Sequence, residues 1–173
     1  MKLNKAMRRL MEKHSICATY TISKNNTYPI WCETDTSGRA YWGVSSFCGL
    51  NKNPIPSDED LSYLEWCGNE ICLRAKSDTE TTNILNQAIG IVAFWKAELE
   101  AKYPETPFYI LASYDNGDMA TADESQSSTK SMTLRFWAER GNEPIVNLDN
   151  FEDSDQPAII EYCNFAPLPR KFW

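Results

Sequence analysis

The sequence predicts a single α+β domain over residues 1–173. It has a mainly antiparallel sheet of about six strands, one long helix packed on that sheet and a short N-terminal helix. Three observations predict it. Several runs alternate apolar with polar or small residues between turn-forming residues, the mark of half-buried strands. One stretch, 79–102, repeats apolar residues at helical spacing between a cap and a stop. No segment repeats, and 173 residues with 42% hydrophobic content suffice for one buried core.

The elements follow in order. "MKLNKAMRRLMEKH" reads as an amphipathic helix with Leu3, Met7, Leu10 and Met11 on one face. It lacks the continuous apolar core of a signal peptide. His14 closes it, where the helix dipole favours a cation. "SICATYTIS" (15–23) alternates as a strand, and "KNNT" is turn chemistry. "YPIWCET" and "RAYWGVSSF" read as two further strands joined at "DTSG", which gives a three-stranded meander. Residues 49–69 read as a long connection with one short helical turn, capped by Ser57 with Asp60 reaching back. "EICLRAKS" (70–77) is a strand.

The long helix 79–102 starts at a capping box of Ser77 and Glu80 and stops before Pro104. Its stripe of Ile84, Leu85, Ala88, Val92, Trp95 and Leu99 is too wide to leave wet, and Gly90 suits a close approach to the sheet. "PFYILASYD" (107–115) is the next strand. If it pairs directly beside 70–77 in parallel, the crossover is right-handed. "SMTLRFWAER" (131–140) and "AIIEYCNF" (158–165) complete the sheet. The C-terminal "NFAPLPRKFW" carries two prolines that interrupt a ladder, and Phe172 and Trp173 are expected to dock on the body.

Charge narrows the function. Residues 1–13 hold Lys2, Lys5, Arg8, Arg9 and Lys13 against Glu12, and the other end adds Arg170 and Lys171. Of 17 bases and 24 acids, 10 and 23 remain for residues 14–169, a net of −13 against −7 for the whole chain. Such a body repels phosphate, so direct nucleic-acid binding is disfavoured. It attracts basic partners, including proteins that themselves bind nucleic acid. A mean hydropathy of −0.49 and no long apolar run argue against a membrane span.

Six cysteines, at 17, 32, 48, 67, 72 and 163, are expected to be reduced thiols in the cytoplasm. Cys17, Cys72 and Cys163 sit in apolar runs as small buried hydrophobes. The nearest pair, Cys67 and Cys72, is separated by four residues with no histidine nearby, not the C-x-x-C spacing of a zinc site, so neither a metal nor a cofactor is expected.

Little catalytic chemistry is legible. His14 is the one histidine, and no P-loop or dinucleotide fingerprint is present. Paired carboxylates of a small hydrolase remain an alternative, with Glu65, Glu70, Asp115, Asp118 and Glu161 as candidates by type. The acidic stretch after "YILASYD" does not match a calcium loop, because Gly117 comes too early. Asn116-Gly117 reads instead as a type I′ hairpin, with Asp115 and Asp118 decorating a turn on an edge strand.

Acids beside rings form the expected partner-binding surface. Asp58, Glu59 and Asp60 precede Tyr63 and Trp66; Asp149, Glu152, Asp153 and Asp155 surround Phe151; Asp115 and Asp118 make the third patch. Carboxylates steer a cationic partner and a ring anchors it. The sequence therefore points to a small cytoplasmic protein-binding inhibitor that blocks a basic protein, such as a nuclease or a nucleic-acid-binding complex. Immunity proteins and phage anti-defence proteins share this composition. The further alternative is a structural, oligomer-forming protein whose "LEW" (64–66) and terminal "RKFW" aromatics make self-contacts.

Overall fold

The computed structural model describes residues 1–17, 28–44, 57–117, 129–140 and 145–164. It is α+β: β1 (Lys2–Leu3), α1 (Lys5–Lys13), β2 (Ile30–Thr34), β3 (Ala40–Val44), α2 (Asp58–Gly68), β4 (Ile71–Ala75), α3 (Asp78–Lys102), β5 (Phe108–Asp115), β6 (Lys130–Ala138) and β7 (Ala158–Cys163). Five strands make an antiparallel sheet in the order β1-β7-β5-β6-β4, and β2 pairs with β3 separately. The strand expected from residue 15 lies, from residue 18 on, outside the described residues, as do Cys48 and the C-terminal rings.

Helix α3 forms where its stripe predicts. Ser77 has extended backbone, and its hydroxyl accepts from the Glu80 N–H at 3.2 Å. The Glu80 carboxylate accepts from the Lys76 N–H at 2.7 Å, so the box closes one residue early. Ile84, Leu85, Ala88, Val92, Trp95 and Leu99 are all buried, and Gly90 lies among them. They pack on one face of the sheet, against Phe108, Ile110, Ala112, Met132, Leu134, Phe136 and Ile159. Alternation sends Tyr109, Leu111, Thr133, Arg135, Trp137 and Tyr162 to the opposite face.

Helix α1 is latched by Asn4, which is fully buried. Its side-chain oxygen caps the helix by accepting from the Met7 N–H (2.8 Å) and also accepts from Ala158 N–H (3.1 Å). Its amide donates to the Gln156 carbonyl at 2.7 Å. Met7 and Met11 are buried as expected, while Leu3 belongs to β1 and not to the helix. His14 is the C-cap residue, as read from the sequence.

Several expectations are corrected. The connection before β4 contains no mere helical turn but the eleven-residue helix α2, capped by Ser57 as expected. Its inner face sets Leu61 among the polar Ser62, Glu65 and Asn69, which hid its amphipathic character. Strands β4 and β5 are not neighbours, because β6 lies between them and is antiparallel to both. That makes β5 a central strand, not an edge. The Asn116-Gly117 pair does not make a two-residue I′ turn. Gly117 has φ 78°, but Asn116 has no positive φ, and the connection from Asp115 runs on to Lys130. Cys17 and Cys72 are exposed, since Cys72 points to the outward face of β4 and Cys17 follows the end of α1; Cys163 is buried as expected.

Candidate interaction surfaces

The first acidic patch stands at the start of α2. Asp58 and Asp60 are exposed; Glu59 lies in the helix with its side chain outside the described residues. Asp58 pairs with Arg39 at 3.1 Å, and Asp60 accepts from the Ser57 hydroxyl at 2.7 Å. Arg39 belongs to the β2–β3 turn, where Asp35 ties the chain by accepting from the Ser37 N–H and Arg39 N–H, each at 2.9 Å. Against its partial burial, the Arg39 and Ser37 donors hold Asp35 far below the usual carboxylate range. Tyr63, one turn along α2, is 58% exposed, and it is the exposed aromatic ring among the described residues.

Trp66, expected beside Tyr63, turns inward instead. It meets Trp137 edge-on at 4.8 Å, and the Arg135 guanidinium lies 4.6 Å over its ring. Trp137 stacks on Tyr109 at 5.2 Å and 15°, and Tyr109 meets Tyr162 at 5.1 Å. Lys2 lies over the Tyr162 ring at 5.1 Å. A row of four rings thus crosses the outward face of the sheet from α2 to β7. The sequence places Tyr109, Trp137 and Tyr162 in strands and Trp66 beside Tyr63 without joining them, because the row needs the register Tyr109↔Trp137 and Tyr109↔Tyr162.

The second patch keeps Asp149, Glu152, Asp153 and Asp155 exposed around a half-buried Phe151. Two of these acids are met within the chain, Glu152 by Arg8 and Asp153 by Lys5, both on α1. The N-terminal bases that the charge count set apart therefore neutralise part of this loop. Asp115, in the third patch, is exposed at the end of β5 and accepts from the Gly117 N–H at 2.8 Å. Asp118 lies outside the described residues. The three patches stand on α2, on the loop before β7 and at the end of β5.

Of the carboxylates named as possible catalysts, Glu65 is the most enclosed, at 3% exposure. One of its oxygens accepts from the Trp42 N–H (2.9 Å) and Arg140 Nη2 (2.6 Å). The other accepts from the Ala138 N–H (2.7 Å) and Arg140 Nη1 (3.0 Å). Burial pushes its pKa up, against the pull of Arg140 and the two N–H groups. Asn69, one turn on, donates to the carbonyls of Trp42 and Phe136 at 2.9 and 3.1 Å. With Ser62 bonding the Ala138 carbonyl, this inner face of α2 staples β3 to β6. Four donors leave Glu65 no room to move a proton, so its work is structural.

Glu70 pairs with Arg135, and Glu161 pairs with Lys96 at 2.9 Å and with the Met1 amino group. A shallow groove of about 340 Å³ lies between His14 and the first turn of α3, lined by Lys13, His14, Ser15, Asp78, Thr79, Thr82 and Asn83. Its one acid, Asp78, is paired with Lys130. Among the described residues, no three histidines, cysteines or acids converge as metal ligands, and no helix is long and apolar enough to cross a membrane. No family model, no curated protein and no solved structure matches this chain.

Proposed function

We infer that the protein is a cytoplasmic binding module for a cationic protein partner, of the stoichiometric inhibitor type that immunity and anti-defence proteins represent. A nuclease or nucleic-acid-binding complex, whose working cleft is basic, is the partner class that the charge suits. The single observation that carries this reading is Tyr63. A large ring held 58% exposed on a three-turn helix whose first turn is acidic is an anchor ringed by steering charge. The helix is fixed from behind by Glu65 and Asn69, so the anchor is presented without ordering a loop on binding.

The test is a paired capture. Wild-type protein and the variant Asp58→Asn, Asp60→Asn, Tyr63→Ala are immobilised side by side and offered lysate at low salt. The expected result is a stoichiometric basic protein that the wild type retains, that rising salt elutes and that the variant loses. Equal retention of every species by both proteins would overturn the reading.

A further inference from the structure

The five-stranded sheet ends at β4, and the fold treats that edge unlike its neighbours. Past β4, the edge of β6 is filled from α2: Glu65 accepts from the Ala138 N–H, Asn69 donates to the Phe136 carbonyl and Ser62 donates to the Ala138 carbonyl. The same helix fills the edge of β3, where Glu65 accepts from the Trp42 N–H and Asn69 from the Val44 N–H. At the far side of the sheet β1 is only two residues long, too short to template another strand. Backbone groups alternate in direction along an antiparallel strand, and those of Phe136 and Ala138 point toward the β4 side. Leu134, Met132 and Lys130 therefore point the same way and bond Ile71, Leu73 and Ala75. The N–H and C=O groups of Cys72 and Arg74, with the Glu70 carbonyl, aim away from the sheet. Among the described residues no backbone group meets them. The Lys76 N–H, next in that row, is already held by the Glu80 carboxylate. The side chains of Glu70, Cys72 and Arg74 are exposed, and among the described residues Arg74 has no acid partner.

We propose that the β4 edge pairs with the same edge of a second copy of this chain, antiparallel about a two-fold axis at Cys72, so that one sheet runs through both copies. Charge complementarity makes a second copy the fitting occupant. With Cys72 opposite its own counterpart, each Glu70 faces an Arg74 of the other copy, and both ends of the new ladder carry opposite charges. The two Cys72 residues exchange a pair of N–H···O=C bonds, and each Arg74 N–H reaches a Glu70 carbonyl. Other registers fail for nameable reasons. Centred on Arg74, two guanidinium groups oppose each other; centred on Glu70, two carboxylates do. Centred on Ile71, Arg74 faces Gly68 at the end of α2 and no acid. Centred on Leu73, the outer bonds need the Lys76 N–H, which Glu80 holds. The edge of β2 is no rival, because Ile30–Thr34 carries Glu33 and no base, so two copies of it would have no opposite charges to pair. An isologous contact of this kind closes at two copies. One strand from each copy makes a small interface, so the dimer is weak and concentration-dependent. It goes beyond the cationic-partner reading and does not rest on it.

Sedimentation equilibrium of the full chain at low salt, with thiols kept reduced, tests it from about 10 µM to about 1 mM. The expected result is a monomer–dimer equilibrium with a Kd of about 100 µM. Arg74→Glu and Glu70→Arg each set like charges opposite one another across the axis and should raise the Kd by about tenfold or more. Mixed in equal amounts, the two variants should dimerise again, with a Kd within about threefold of wild type, since every pair of residues 70 and 74 across the axis is then opposite in charge. Cys72→Pro deletes an outward N–H and no bond to β6, so it should keep the native circular dichroism and abolish the dimer. A monomer throughout, up to about 1 mM, overturns the proposal. So does a dimer that Arg74→Glu and Cys72→Pro leave intact, which would place the contact on another face. A mixture of the two folded charge variants that stays monomeric overturns the register and the proposal with it.

Discussion

Glu65→Gln is the sharpest test of how this fold is held. Each carboxylate oxygen of Glu65 accepts one backbone N–H and one guanidinium N–H, so every group around it is a donor. A glutamine of the same size must aim its amide NH₂ at one of those donor pairs, whichever way it is turned. That orphans one buried backbone N–H, worth about 1–3 kcal/mol, and removes charge-assisted bonds to Arg140 worth about as much again. A loss of about 3–5 kcal/mol follows, the range for breaking a buried ion pair. With a urea dependence of about 2.5 kcal/mol per molar, the unfolding midpoint falls by about 1.2–2 M. Urea titration followed by tryptophan fluorescence measures this directly. Arg140→Met should cost a similar amount, and the double variant less than the sum by about 1.5–3 kcal/mol, because the two groups lose the same bonds. A midpoint within about 0.3 M of wild type for Glu65→Gln, or strictly additive losses, would refute the idea that this pair staples α2 to β3 and β6.

Asn4→Ala removes both the α1 cap and the acceptor of Ala158 N–H, so it should destabilise by about 2–4 kcal/mol, at least twice the cost of the exposed cap variant Ser57→Ala; thermal melts of both variants decide. Thiol labelling of the native protein should modify Cys17, Cys32, Cys67 and Cys72 well before Cys163, whose burial pushes its thiol up to about 12; early modification of Cys163 would contradict the core described here. Glu139→Gln tests a pH dependence. Burial raises the folded-state pKa of Glu139 above 4.5, so the folded protein binds this proton more tightly than the unfolded chain. The wild type therefore loses stability relative to the variant as pH rises from about 4.5 through the raised value, and the gap is constant above it. Urea midpoints of both proteins at pH 4.5 and 7.5 should show it, and a gap that moves the other way overturns the assignment.

The parts of the fold that were legible in sequence are those whose residues announce their own burial. The α3 stripe, its Ser77 cap and the alternation of β5 and β6 each follow from local periodicity. What was not legible depends on pairing between distant segments. Ser62, Glu65 and Asn69 look like the wet side of a loop helix, since polar residues at helical spacing carry no sign of the partners that bury them. The Asn-Gly signal failed because the turn is set by where β6 enters the sheet and not by the two residues alone. Of the surface patches, Tyr63 with Asp58 and Asp60 could be read directly, whereas the loop around Phe151 looked like free negative charge until α1 supplied Lys5 and Arg8.

The place of β6 between β4 and β5 has a consequence for a chain still being made. Once synthesis has passed Asp115, both flanking strands and the helix that joins them exist, but the lane between them is vacant, and Ile71 must wait for Leu134. Until Lys130–Ala138 has left the ribosome, two apolar ladders lack their shared neighbour and invite pairing with other nascent chains. Closing that lane late, across a long stretch of backbone, makes slow maturation and crowding-sensitive yield the expected behaviour of this topology.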